Sequence, residues 1–167
     1  AGGRPIEKLH LREQTTLLEE FVDDARALLE ALTLQPADVS AAEVVGAASE
    51  RLAPALELYE LRLEIDQAPD LRLHADLART QRLVYRLLLT AVRRAPEGSV
   101  VTLSVLGVDP CLVFSIEGPA ARDKFEDPIL LDLRIASSVS AAAHATLEIG
   151  RPEEGTRLLL RLPLAAA

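Results

Sequence analysis

Three histidines, one cysteine and a scatter of serines and carboxylates are the side chains with chemistry to offer in this 167-residue chain. His10 falls in a helical pattern, His74 at the end of a strand pattern and His144 at a helix end. Their wide separation gives no metal-ligand spacing, so His74 and His144 read as structural or solvent-facing. Cys111 sits alone in an apolar run. It reads as a buried thiol from which neither a disulfide framework nor a zinc site can be built. Ser137, Ser138 and Ser140 have no base in any recognisable spacing. Asp66, Asp70, Glu117, Asp123, Glu126 and Asp127 are scattered loop acids, and a solvated surface is the simpler account of them. The residues by themselves therefore predict no metal site.

Composition narrows the partners. The net charge is −8 and no Lys/Arg cluster interrupts it; Arg93-Arg94 reads as a solvated helix face, so nucleic acid is excluded. Hydrophobic residues make up 49% and aromatics 3%, so the core must be built from Leu, Val and Ala. No apolar run reaches membrane-spanning length and no signal peptide is visible, which predicts no direct membrane insertion and a cytoplasmic location. The chain has no Met, and Ala1-Gly2-Gly3 reads as a tag remnant or cut site. A fragment of a longer, membrane-anchored protein is compatible with that reading.

The elements follow from periodicity. Pro5 can open a helix running to about Leu34. Leu11, Leu18, Ala25 and Leu32 recur every seven residues, with Gln14, Phe21 and Leu28 three residues on. One helix cannot bury such a stripe alone, so a homodimer through this face is expected, with folding back onto the rest of the chain as the competing solution. Gln35 to Ser40 reads as a loop. Ser40 and Glu43 form a capping box for a helix carrying Val44, Val45, Ala48, Leu52 and Leu56, which Pro54 kinks or divides. Leu61–Ile65 and Leu71–His74 alternate as short strands. A long helix follows from an Asp76 cap, with Leu77, Leu83, Val84, Leu87, Leu88 and Ala91 on its apolar stripe, and stops at Ala95-Pro96-Glu97-Gly98. Val100–Val105 and Cys111–Ile116 form a hairpin joined by Gly107-Val108-Asp109-Pro110.

This order, and above all Asp76, Leu87, Leu88, Ala91, Arg93, Pro96, Glu97 and Gly98, resembles the nucleotide-binding helix of the histidine-kinase and GHKL ATPase superfamily. The resemblance covers nearly all of residues 10 to 163 and extends to Glu154-Gly155-Thr156-Arg157 with the closing Leu158–Leu164 strand. It implies a two-layer α/β sandwich of the Bergerat type, a mixed sheet with about three helices, preceded by a long amphipathic helix. Residues 1–34 would be a dimerisation-type helix and 35–167 the ATPase-like domain. It also implies where the chemistry should be. Arg86 and Thr90 stand where the family has two asparagines, the second of which holds the magnesium of the ATP. Gly118 stands where the family has the adenine-binding Asp, and Ala120 and Arg122 stand where it has glycines. Phe125 to Leu130 is too short for the family's lid. Leu130-Leu131-Asp132-Leu133 replaces a Gly-Leu-Gly-Leu box, and Asp132 would repel phosphate.

The resemblance thus implies a degenerate, non-catalytic module that binds no cofactor and no metal. It would act in dimerisation and signal relay in bacterial two-component-type signalling, with a response regulator or another signalling protein as partner. The alternatives are enzymes: a histidine phosphotransferase, or a fragment of an unusual sensor histidine kinase. His10 is then the candidate phosphoacceptor. Against it, Leu11-Arg12-Glu13 follows and no second hairpin helix comes after, so a surface histidine is the preferred reading.

Overall fold

The computed structural model describes residues 22, 25–26, 35–119, 145–150 and 155–165. The chain divides into two compact units, Ala1–Leu34 and Gln35–Ala167. In the first, Val22, Ala25 and Arg26 are helical, with Val22 and Arg26 exposed and Ala25 half-buried. His10 and the remaining stripe residues Leu11, Gln14, Leu18, Phe21, Leu28 and Leu32 lie outside the described residues.

The second unit runs β1 (Ala37–Ser40), α1 (Ala41–Leu58), β2 (Arg62–Gln67), β3 (Arg72–Ala75), α2 (Leu77–Arg94), β4 (Val100–Val108), β5 (Cys111–Gly118), β6 (Thr146–Ile149) and β7 (Thr156–Pro163). β2, β4, β5, β7 and β6 form one sheet in that order. β2 and β4 are parallel and every other pair is antiparallel. The parallel pair is joined through α2, as the crossover of a parallel connection demands. Strict alternation aims Val101, Leu103 and Val105 of β4, Leu112, Phe114 and Ile116 of β5, and Leu158, Leu160 and Leu162 of β7 into one core. The register aligns them in cross-strand rows such as Leu103, Ile116 and Leu158. The mixed sheet with β4, β5 and β7 at its centre matches the sandwich expected from the sequence.

The helices start where their caps say. Ser40 accepts from Ala42 N at 3.2 Å while the Glu43 carboxylate accepts from Ser40 N at 3.4 Å. The Asp76 carboxylate accepts from Arg79 N at 3.1 Å and its other oxygen from Gln35 N at 3.1 Å. Gly98 takes φ +74° in the turn that sends α2 into β4, a conformation open to glycine at little cost. α2 is buried at every residue from Leu83 to Val92, so it is an interior helix rather than a half-exposed one.

Three expectations change. The segment read as a loop before α1 contains β1, which pairs antiparallel with β3 and buries Val39. Four residues with one buried apolar side chain carry too little alternation to announce a strand. Pro54 does not divide α1, which is assigned continuously. Pro54 and Glu50 are both exposed, so the carbonyl freed by the missing N–H faces water. The hairpin is longer than read: pairing persists to Val108 and Cys111, leaving Asp109-Pro110 as the whole turn. Two helices are described in this unit, against the three or so expected, and residues 120–144 lie outside the described residues. Among the described residues no helix is long and apolar enough to cross a membrane.

Candidate functional site

Of the positions that the resemblance singles out, Arg86 and Thr90 stand on α2 and Gly118 ends β5. Arg86 and Thr90 are one turn apart on α2, 6% and 3% exposed. The Thr90 hydroxyl donates to the Arg86 carbonyl at 3.0 Å, so its proton is spent inside the helix. What remains at position 90 is one hydroxyl oxygen, without the amide carbonyl that an asparagine would offer a hard cation. Arg86 brings a permanent positive charge into a buried position.

Gly118 ends β5 beside this turn of the helix. A Cβ placed on it would lie 3.7 Å from Val101 Cγ2, 3.8 Å from Thr156 Cβ and 3.9 Å from the Ala91 carbonyl oxygen. Those are ordinary van der Waals distances. The position has room for a side chain, and the chain carries none there. Its register partner on β7 is Thr156, which is 5% exposed and whose hydroxyl has no hydrogen-bond partner among the described residues. A buried hydroxyl without a partner costs free energy that the surroundings do not return. Sequence reading placed Thr156 in a motif but assigned it no part in the site; its burial against position 118 appears only once β5 and β7 are paired.

The structure therefore brings Arg86, Thr90, Gly118 and Thr156 to one region. Ala120, Arg122, Leu130 and Asp132 lie outside the described residues. Among the described residues no three His, Cys, Asp or Glu side chains gather as metal ligands. Beside the closing strand, Gly150 N donates to the Arg157 carbonyl at 2.7 Å, and a Cβ on Gly150 would come within 2.8 Å of Arg157 Cβ. Only glycine allows that approach.

No protein-family model matches the chain, and no curated protein matches it. Solved structures do. The Acinetobacter baumannii histidine kinase AdeS is 17% identical, with 99% of this chain and 88% of that one covered and a TM-score of 0.77. A nucleotide-free catalytic domain of the histidine kinase ThkA is 14% identical over 77% of this chain and 97% of its own, with a TM-score of 0.66. Full-length ShkA in complex with AMPPNP is 21% identical over 93% of this chain and 39% of its own, with a TM-score of 0.68. At such identities the likeness is one of fold. The described residues between 35 and 165 have the fold of the histidine-kinase catalytic domains that they superpose on.

Proposed function

We propose that the chain is a histidine-kinase-like module of two-component signalling that does not bind ATP with magnesium and works by dimerisation and protein–protein relay. One observation carries the reading. Across the buried turn of α2 and the end of β5, a guanidinium, a self-bonded hydroxyl and a bare glycine stand where nucleotide chemistry needs amide and carboxylate oxygens. These residues do not fit a magnesium–nucleotide complex, so no phosphoryl step is derived through one. The substitutions at Ala120, Arg122, Leu130 and Asp132 point the same way by their chemistry. ShkA, whose structure holds AMPPNP, shows that this fold is compatible with a nucleotide; the difference then lies in these side chains and not in the scaffold.

Isothermal titration with Mg-ATP is expected to give no saturable heat. Binding at micromolar levels, about −8 kcal/mol, would overturn the reading. Dimerisation through Leu11, Gln14, Leu18, Phe21, Ala25, Leu28 and Leu32 supplies the relay. Each leucine of that row left in water forfeits roughly 1.5–3 kcal/mol. Leu18→Asp with Leu28→Asp should give monomers in light scattering while the ATPase-like unit stays folded. A wild-type chain that is monomeric at high concentration would remove dimerisation from the proposal. The signalling partner, a response regulator or another protein of the same pathway, would then meet a preformed dimer on the cytoplasmic side.

A further inference from the structure

The chain enters its second unit at Gln35, the residue after the unit boundary at Leu34. The backbone N–H of Gln35 donates to Oδ2 of Asp76 at 3.1 Å, 41 residues away. Asp76 is the N-cap of α2, and its Oδ1 accepts from Arg79 N at 3.1 Å. Its main-chain carbonyl accepts from Thr80 N at 3.0 Å and from the Thr80 hydroxyl at 2.7 Å. One carboxylate thus serves the entry of the unit with one oxygen and the first turn of its interior helix with the other.

The short segment between the entry and α1 is held along its length. β1 pairs with β3 from Ala37 to Ser40, and the partner of Ala37 is Ala75, the neighbour of Asp76. Ser40 ends β1 and forms the capping box of α1, and Ala41 N donates to the Leu71 carbonyl at 2.9 Å. A displacement of Gln35 therefore falls on Asp76 before it reaches the ribbon. Arg79 N is one of the helix N-terminal donors that no carbonyl of the helix can satisfy, so its exchange with water reports on the cap. A carboxylate held by two N–H groups is fixed in its torsions. Released by one, it regains rotamer freedom and caps the other less well. The two bonds are linked, and the linkage is reciprocal. The helix that starts at this cap runs on to the buried Arg86 and Thr90.

We infer that Asp76 couples the N-terminal segment to α2. Holding Gln35 tightens the first turn of α2, and drawing Gln35 away loosens it. Asp76 acts here as a positioning residue, with its two oxygens as the two ends of the coupling. The coupling gives the proposed relay a route into the second unit and rests on that reading for its use. Its failure is distinguishable from a failure of that reading: light scattering and Mg-ATP titration report on the dimer and the cleft, and amide exchange reports on the coupling.

The test measures amide hydrogen exchange of the full chain at residue resolution. Gln35 is an exposed residue. In the wild type its amide should still exchange at least about tenfold more slowly than in an unstructured chain, because its acceptor is charged. Gln35→Pro removes the donor and leaves the cap residue unchanged. Arg79 N–H should then exchange at least about fivefold faster. A bond that only pins the chain would leave Arg79 unmoved. Asp76→Asn should free Gln35 fully and Arg79 in part, since the side-chain amide keeps one acceptor oxygen for the cap and turns a donor toward Gln35. Asp76→Ala should free both. Circular dichroism of each variant establishes that it is folded. An unprotected Gln35 in the wild type, an unchanged Arg79 in Gln35→Pro, or a Gln35 that stays protected in Asp76→Ala would each overturn the proposal.

Discussion

α2 with its sheet and the β1–β3 ribbon treat polar side chains in opposite ways. On α2, Arg86 and Thr90 are buried, and Thr90 turns its hydroxyl back onto its own helix. Nearby, the buried Thr156 hydroxyl has no hydrogen-bond partner among the described residues. On the ribbon, Asp38 and His74 bond to each other while remaining half exposed. The interior encloses these polar groups within tightly packed apolar surroundings. The ribbon contributes little packing and orients its polar groups outward. Packing and chemistry can therefore diverge within one unit, because buried apolar contacts constrain volume whereas a ligand site constrains atom type.

Breaking the interior should have the largest effect. Leu88→Ala on α2 and Phe114→Ala on β5 remove fully buried side chains. Each should cost about 2–5 kcal/mol in urea unfolding, with little relaxation of the cavity. A loss below about 1 kcal/mol would mean that α2 is less firmly packed than its burial states. The junction between the regions comes next. Ser40 ends β1 and caps α1, and Ser40→Ala should cost about 0.5–2 kcal/mol by the same measurement.

Thr156→Val sharpens the contrast from the other side. Replacing an unpartnered buried hydroxyl with a methyl should stabilise the fold by about 1 kcal/mol, read as a raised urea midpoint with an unchanged slope. Destabilisation would show that the hydroxyl has a partner in solution, and so that this end of the cleft is still a polar site. The smallest effect belongs to the ribbon. His74→Gln should shift stability by no more than about 1 kcal/mol, because a half-exposed pair gains little from its charge. A loss as large as that of Leu88→Ala would make the Asp38–His74 pair a structural clamp.

How far each region was legible follows from the same difference. The apolar stripe of α2, its Asp76 cap and its stop at Gly98 all stand in one contiguous stretch, and the structure reproduces them. The alternation of β4, β5 and β7 was equally plain. β1 was not, since Val39 is its one buried apolar side chain and a strand of that length depends on its partner. The Asp38–His74 pair was invisible because 36 residues separate its members. His74, read as structural or solvent-facing, is solvent-facing and also paired.

Sequence alone determined the order of α1, β2, β3, α2, β4, β5 and β7, the helix caps and the faces these elements turn to the core, because periodicity and capping are local properties of contiguous residues. It also determined which residue types occupy the positions that nucleotide chemistry would need. Only the tertiary structure decided that Thr156 lies buried against Gly118, its hydroxyl without a partner among the described residues, and that Asp38 pairs with His74. Those relations depend on strand register, and register is set by which hydrophobic faces meet across the fold rather than by any spacing within one segment.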